Sequence, residues 1–67
     1  MDPHEKDIWA MAGELIARHG ENAANVAHKR VCTARHERSE AAEQVWLWIE
    51  EAVEELLRER ERHDALN

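Results

Sequence analysis

Apolar residues recur at helical spacing three times along the chain. The first set, Ile8, Met11, Ala12, Leu15 and Ile16, falls on one face of a helix turning about 100° per residue. Asp2 and Pro3 stand ahead of it, and Glu5 follows Asp2 at capping-box distance. An Asp cap accepts backbone N–H groups, Pro at the first helical position gives up no useful donor, and the acid completes the box. His19-Gly20 supplies the stop, because glycine readily takes the left-handed conformation at a helix C-terminus and histidine sits well near the negative dipole end. The pattern predicts a helix over 3–19.

Glu21 and Asn22 suit the start of a second helix, and Ala23, Ala27, Val31 and Ala34 continue at helical spacing with Val26 beside them. This face is small. Alanines let backbones approach closely but bury less area each than Leu or Ile, so the second helix must lean on larger residues of its neighbours. The stretch Arg35-His36-Glu37-Arg38-Ser39 has no apolar residue and ends in a good cap, which places a break there. It contains neither Gly nor Pro, so one continuous helix over 21–62 is the alternative.

The third helix is predicted over 39–62. Val45, Trp46, Trp48, Ile49, Ala52, Val53, Leu56 and Leu57 share about half of its circumference, with Glu43, Glu50, Glu51 and Glu54 opposite. Leu47 falls on the acidic side as a single exposed apolar residue. So wide an apolar arc exceeds what one neighbour covers; it calls for both other helices, or for them and a second copy of the chain. Glu54 with Arg58, Glu55 with Arg58 and Glu59 with Arg62 are spaced as opposite-charge pairs along the tail. The expected architecture is all-α: a three-helix bundle forming a single domain over 1–67, helix-swapped or paired as a dimer.

Size and charge refine this picture. At 67 residues burial and conformational entropy nearly cancel, which makes association an expectation from the start. Cys32 is the only cysteine and cannot form an internal disulfide, and Met1-Asp2-Pro3-His4-Glu5-Lys6 has neither a basic leader nor an apolar signal region. No apolar run approaches the roughly 20 residues of a membrane span. A cytoplasmic protein without membrane contact is expected. The net charge of −6 argues against general affinity for nucleic acid or anionic lipid. It is distributed unevenly: residues 1–27 carry −3, residues 28–38 carry +3 and residues 39–67 carry −6. Attraction between a basic middle and two acidic flanks is the plainer reading of that pattern; a binding patch is the other.

Two pieces of sequence carry a resemblance. They are Leu15-Ile16-Ala17-Arg18-His19-Gly20, and the series Trp46, Ile49, Ala52, Glu55 and Leu56, with Asp7-Ile8-Trp9 ahead of both. Over about residues 7–57 the chain resembles a family of small helical proteins common in alphaproteobacteria and largely uncharacterised. That family often has Gly-Asp before its last helix, implying a true break there, where this chain has Arg38-Ser39. The resemblance implies no activity.

Three constellations carry possible chemistry. His28, Cys32 and His36 repeat every four residues, with Glu40 four further on. Such a pair can chelate zinc, but His28 and His36 lie about 12 Å apart along a helix axis, so one helix offers at most two ligands and a site would need His19 or another chain. The competing reading is a half-buried cysteine flanked by solvent-facing histidines. A Cys–His nucleophile pair lacks any recognisable oxyanion donor. Lys29, Arg30, Arg35 and Arg38 suggest a nucleic-acid contact, yet a helix-turn-helix reads DNA with its second helix, which here is acidic.

Trp9, Trp46 and Trp48 are the only aromatics. Trp46 and Trp48 lie about 200° apart on a helix, so one of them sits near the bundle edge, where Trp48 could join Trp9 or a symmetry copy in a contact. The sequence is therefore read as a small non-enzymatic interaction or regulatory protein with no cofactor and no metal. A homodimer or an unidentified protein partner would meet Leu47, Trp48 and the bases Lys29, Arg30, Arg35 and Arg38. The alternatives are a nucleic-acid-associated regulator using residues 28–38 and a metal-responsive site at Cys32.

Overall fold

A computed structural model describes residues 5–65. Helix α1 spans Glu5–His19, a 3-10 turn spans Gly20–Asn22, α2 spans Ala23–His36 and α3 spans Glu40–Ala65. The architecture is all-α, with both α1 and α2 packed on α3. No helix among the described residues is long and apolar enough to cross a membrane. The helix start expected at Asp2-Pro3 lies outside the described residues.

The joint between α1 and α2 follows from Gly20, whose φ of 59° lets the chain leave α1 where an L side chain would be strained. Asn22 does not cap α2 through its side chain; its Oδ1 instead accepts a hydrogen bond from Asn25 Nδ2 at 3.0 Å. The small face of α2 is the one expected: Ala23, Ala27, Val31 and Ala34 are all buried. Against it stand Ile49, Ala52 and Val53 of α3 and Ala12 of α1, with Ile8, Leu15, Ile16, Trp46, Leu56 and Leu57 closing the margins. Among the described residues Ile49, Val31 and Val53 are the largest fully buried side chains, each contributing about 1.5–3 kcal/mol.

The break between α2 and α3 is real, and it is made without glycine. Arg38 adopts the left-handed conformation at φ 60°. Its N–H bonds back to Arg35 O at 3.1 Å, while Ser39 N–H reaches Ala34 O at 2.9 Å, satisfying carbonyls that the end of α2 would leave open. Ser39 then starts α3. Its Oγ accepts the Ala42 N–H at 3.4 Å and its carbonyl accepts the Glu43 N–H at 2.9 Å. A tight reversal results, and it lays α2 antiparallel on α3.

Within α3 the apolar arc is covered from two sides by a single chain. Trp46, Leu56 and Leu57 are half-buried beside the core, and of the large residues only Val45 and Trp48 remain exposed, at 40% and 39%. Leu47 is half-buried rather than exposed. Glu43 and Glu50, expected opposite the arc in water, border α2 instead and are partly covered by it.

Relieving the left-handed strain at position 38 should be measurable. Arg38→Gly is expected to raise stability by about 0.5–1 kcal/mol, because the strain of an L residue there exceeds the extra backbone entropy of glycine. Thermal unfolding checks this, with an expected rise of several degrees in the midpoint; an unchanged or lowered midpoint would count against the turn described.

Candidate interaction surface

The basic residues of α2 and its turn are all exposed, but they do not form one free patch. Arg35 directs Nε and Nη2 at Glu43 Oε2, at 3.1 and 3.0 Å. Arg30 lies over the ring of Trp46, its guanidinium carbon 5.7 Å from the centroid, within the range of a cation–π contact. Lys29 stands exposed on α2, and Arg38 occupies the reversal. Charge complementarity inside the chain thus engages part of the segment.

A second pair continues the seam. His28 Nδ1 is 3.2 Å from Glu50 Oε2. His28 and Arg35 stand seven residues apart on α2, and Glu43 and Glu50 seven apart on α3, so the pairs step along the antiparallel helices in register. Each is solvent-exposed on its basic side and worth about 0–1 kcal/mol; together they specify alignment more than stability.

Cys32 joins this seam at its open edge. Its Sγ lies 3.7 Å from His28 Nε2, so His28 addresses the thiol with one ring nitrogen and the Glu50 carboxylate with the other. Cys32 is exposed, correcting the expectation of a half-buried thiol. A thiol, imidazole and carboxylate in series have the order of a nucleophilic relay, but catalysis also needs donors for a developing oxyanion and a cavity for substrate. Cys32 lines neither the cleft between α1 and α3 nor the one beside Arg18 and Arg30. Nor do the three groups converge on a metal: the imidazole lies between the other two, and no group of three or more His, Cys, Asp or Glu among the described residues is placed to hold an ion. His36 and Glu40 add nothing to the cluster. The His28–Cys32 spacing was visible in the sequence, whereas Glu50 was missed because it belongs to another helix.

The larger cleft lies between α1 and α3, with a volume of about 730 Å³. Ile8, Trp9, Trp48 and Ala52 form its apolar walls, and Glu5, Glu51, Glu55 and Glu59 its rim. Trp9 and Trp48 are each 39% exposed. Of the contact residues expected from sequence, only Trp48 lines this cleft; Leu47 and the four bases do not. Trp9 owes its place to its helical phase beside Ile8, one position off the buried face of α1. A smaller cleft of about 330 Å³ has a different character, with Arg18 and Arg30 beside Met11, Leu15, Val26 and Trp46.

Comparison of the chain with protein-family models, with curated proteins and with solved structures finds no match in any of the three.

The exposure of Cys32 is directly testable. In the folded protein the thiol is expected to react completely with a chromogenic disulfide reagent, without denaturant and at a rate near that of an unfolded control. Protection by more than about tenfold would require a closing free energy above roughly 1.4 kcal/mol and would contradict the open placement of Sγ.

Proposed function

We propose that the chain is a small non-enzymatic interaction or regulatory protein that acts by presenting helix surfaces, with the α1–α3 cleft as its principal contact. One observation carries this reading: two of its three aromatic residues, Trp9 and Trp48, stand substantially open to solvent on facing walls of a roomy apolar cleft. In so small a core, rings of this size would ordinarily be spent on packing, whereas half-open tryptophans in a concave apolar site are what the centres of protein contacts use. Lys29 and Arg38 remain available as peripheral bases, and Arg30 and Arg35 are engaged by Trp46 and Glu43. The same engagement weakens the reading of residues 28–38 as a nucleic-acid contact.

A homodimer is the other use of such a surface. It was suggested by the width of the apolar arc on α3, much of which α1 and α2 already cover. Two-fold pairing through the cleft would also bring the acidic set Glu5, Glu51, Glu55 and Glu59 of one copy against the same set of the other, an arrangement opposed by like-charge repulsion at neutral pH. A different protein is therefore the favoured partner. The setting proposed is the cytoplasm, where an exposed unpaired thiol stays reduced.

Site-specific photocrosslinking in the native cell tests this function. A photoreactive aromatic residue in place of Trp48 is expected to capture a discrete species, and the same residue in place of the exposed Thr33 is not. No adduct at position 48, or indistinguishable labelling at both positions, would overturn the reading; an adduct of twice the chain mass would identify the occupant as a second copy.

A further inference from the structure

The two clefts differ in how their tryptophans are served. Trp46 has the Arg30 guanidinium over its ring, the one such cation–π contact among the described residues, and its cleft contains a second arginine, Arg18. Among the described residues Trp9 and Trp48 have no cation over them, and those that line their cleft include four carboxylates and no Lys, Arg or His. Glu55 is the only rim acid with an ion pair among the described residues, to Arg58 at 3.5 Å; the salt bridges there do not reach Glu5, Glu51 or Glu59. Aromatic faces and carboxylates both favour a cation, and here they surround one apolar floor.

The acids are also ordered. Glu51, Glu55 and Glu59 repeat every four residues along α3, a rail about 12 Å long with carboxylates on successive turns. Trp48 and Ala52 run beside that rail, and Ile8 and Trp9 face it from α1. A helix whose lysines or arginines recur every three or four residues, next to an apolar stripe, presents the complementary spacing. Phosphate-bearing partners would meet repulsion along the same rail.

We infer that the α1–α3 cleft docks a basic amphipathic helix of a partner protein. Its apolar stripe lies on Ile8, Trp9, Trp48 and Ala52, and its lysines or arginines pair with Glu51, Glu55 and Glu59. This rests on the cleft being the working surface, and it adds the chemistry of the occupant.

Titration calorimetry with the intact chain and three synthetic peptides tests the inference. The peptides are a leucine–lysine amphipathic helix, the same helix with glutamine for lysine, and the same helix with glutamate for lysine. The lysine peptide is expected to bind; the glutamine peptide is expected to bind about tenfold more weakly, and the glutamate peptide not at all. The triple variant E51Q/E55Q/E59Q should weaken lysine-peptide binding by about tenfold, while E37Q/E40Q/E54Q, with the same change in net charge away from the cleft, should leave it within about twofold. Circular dichroism of both variants verifies that they remain helical. Equal weakening in both variants would show only attraction to total charge and would overturn the inference. Equal binding of lysine and glutamine peptides, both lost in Trp48→Ala, would also overturn it while leaving the cleft as a contact surface. Failure of every peptide to bind would overturn the inference, and the contact-surface reading would fall with it only if crosslinking at position 48 were silent too.

Discussion

Everything in this fold depends on how closely α2 approaches α3. The approaching face of α2 is made of Ala23, Ala27 and Ala34 around Val31, so α3 receives little bulk from that side and supplies Ile49 and Val53 itself. Close approach brings helix edges within reach of each other, and Arg35 and His28 therefore meet Glu43 and Glu50 across the seam. A bulkier α2 would bury more area per residue, but it would hold those edges apart. The reversal at Arg38 and Ser39 is part of the same arrangement, since a tight turn keeps the two helices in register.

The consequence for α1 is less obvious. With α2 occupying one flank of α3, α1 must cover the other, and it does so with Ala12 fully buried and Ile8, Leu15 and Ile16 half-buried. Where α1 and α3 separate, a cleft opens, and Trp9 and Trp48 stand on its two walls. The core closes at the level of Ala12 and leaves these rings out of it. The open cleft is thus a product of packing, and the glutamates on its rim make that opening acidic.

Periodicity made much of this legible. The small face of α2 and the buried centre of α3 follow from the phases of Ala23, Ala27, Val31, Ala34, Ile49 and Val53 alone. The break before α3 was legible only through Ser39 and the polar run ahead of it, because the residue that turns the chain is an arginine carrying no steric signature of a left-handed conformation. Glu43 and Glu50 were misplaced for a different reason. A helical wheel measures angle from an apolar centre, and a residue well off that centre still borders a neighbour when the neighbour is thin. Leu47 was placed in water by the same calculation and proves half-buried. The cleft itself was only half visible: Trp48 signalled an edge, but its pairing with Trp9 and the glutamate rim depends on how two distant segments meet.

The proposal stands or falls on whether Trp9 and Trp48 act together as one receptive surface, to which Trp46, lining the smaller cleft beneath Arg30, does not belong. The three indole N–H signals of the chain, observed by two-dimensional NMR during titration with the leucine–lysine helix, test it most directly. The account predicts that the Trp9 and Trp48 signals shift together and saturate at one equivalent, with the Trp46 signal stationary. Movement of Trp46 alone, or of all three signals to the same extent, would contradict it.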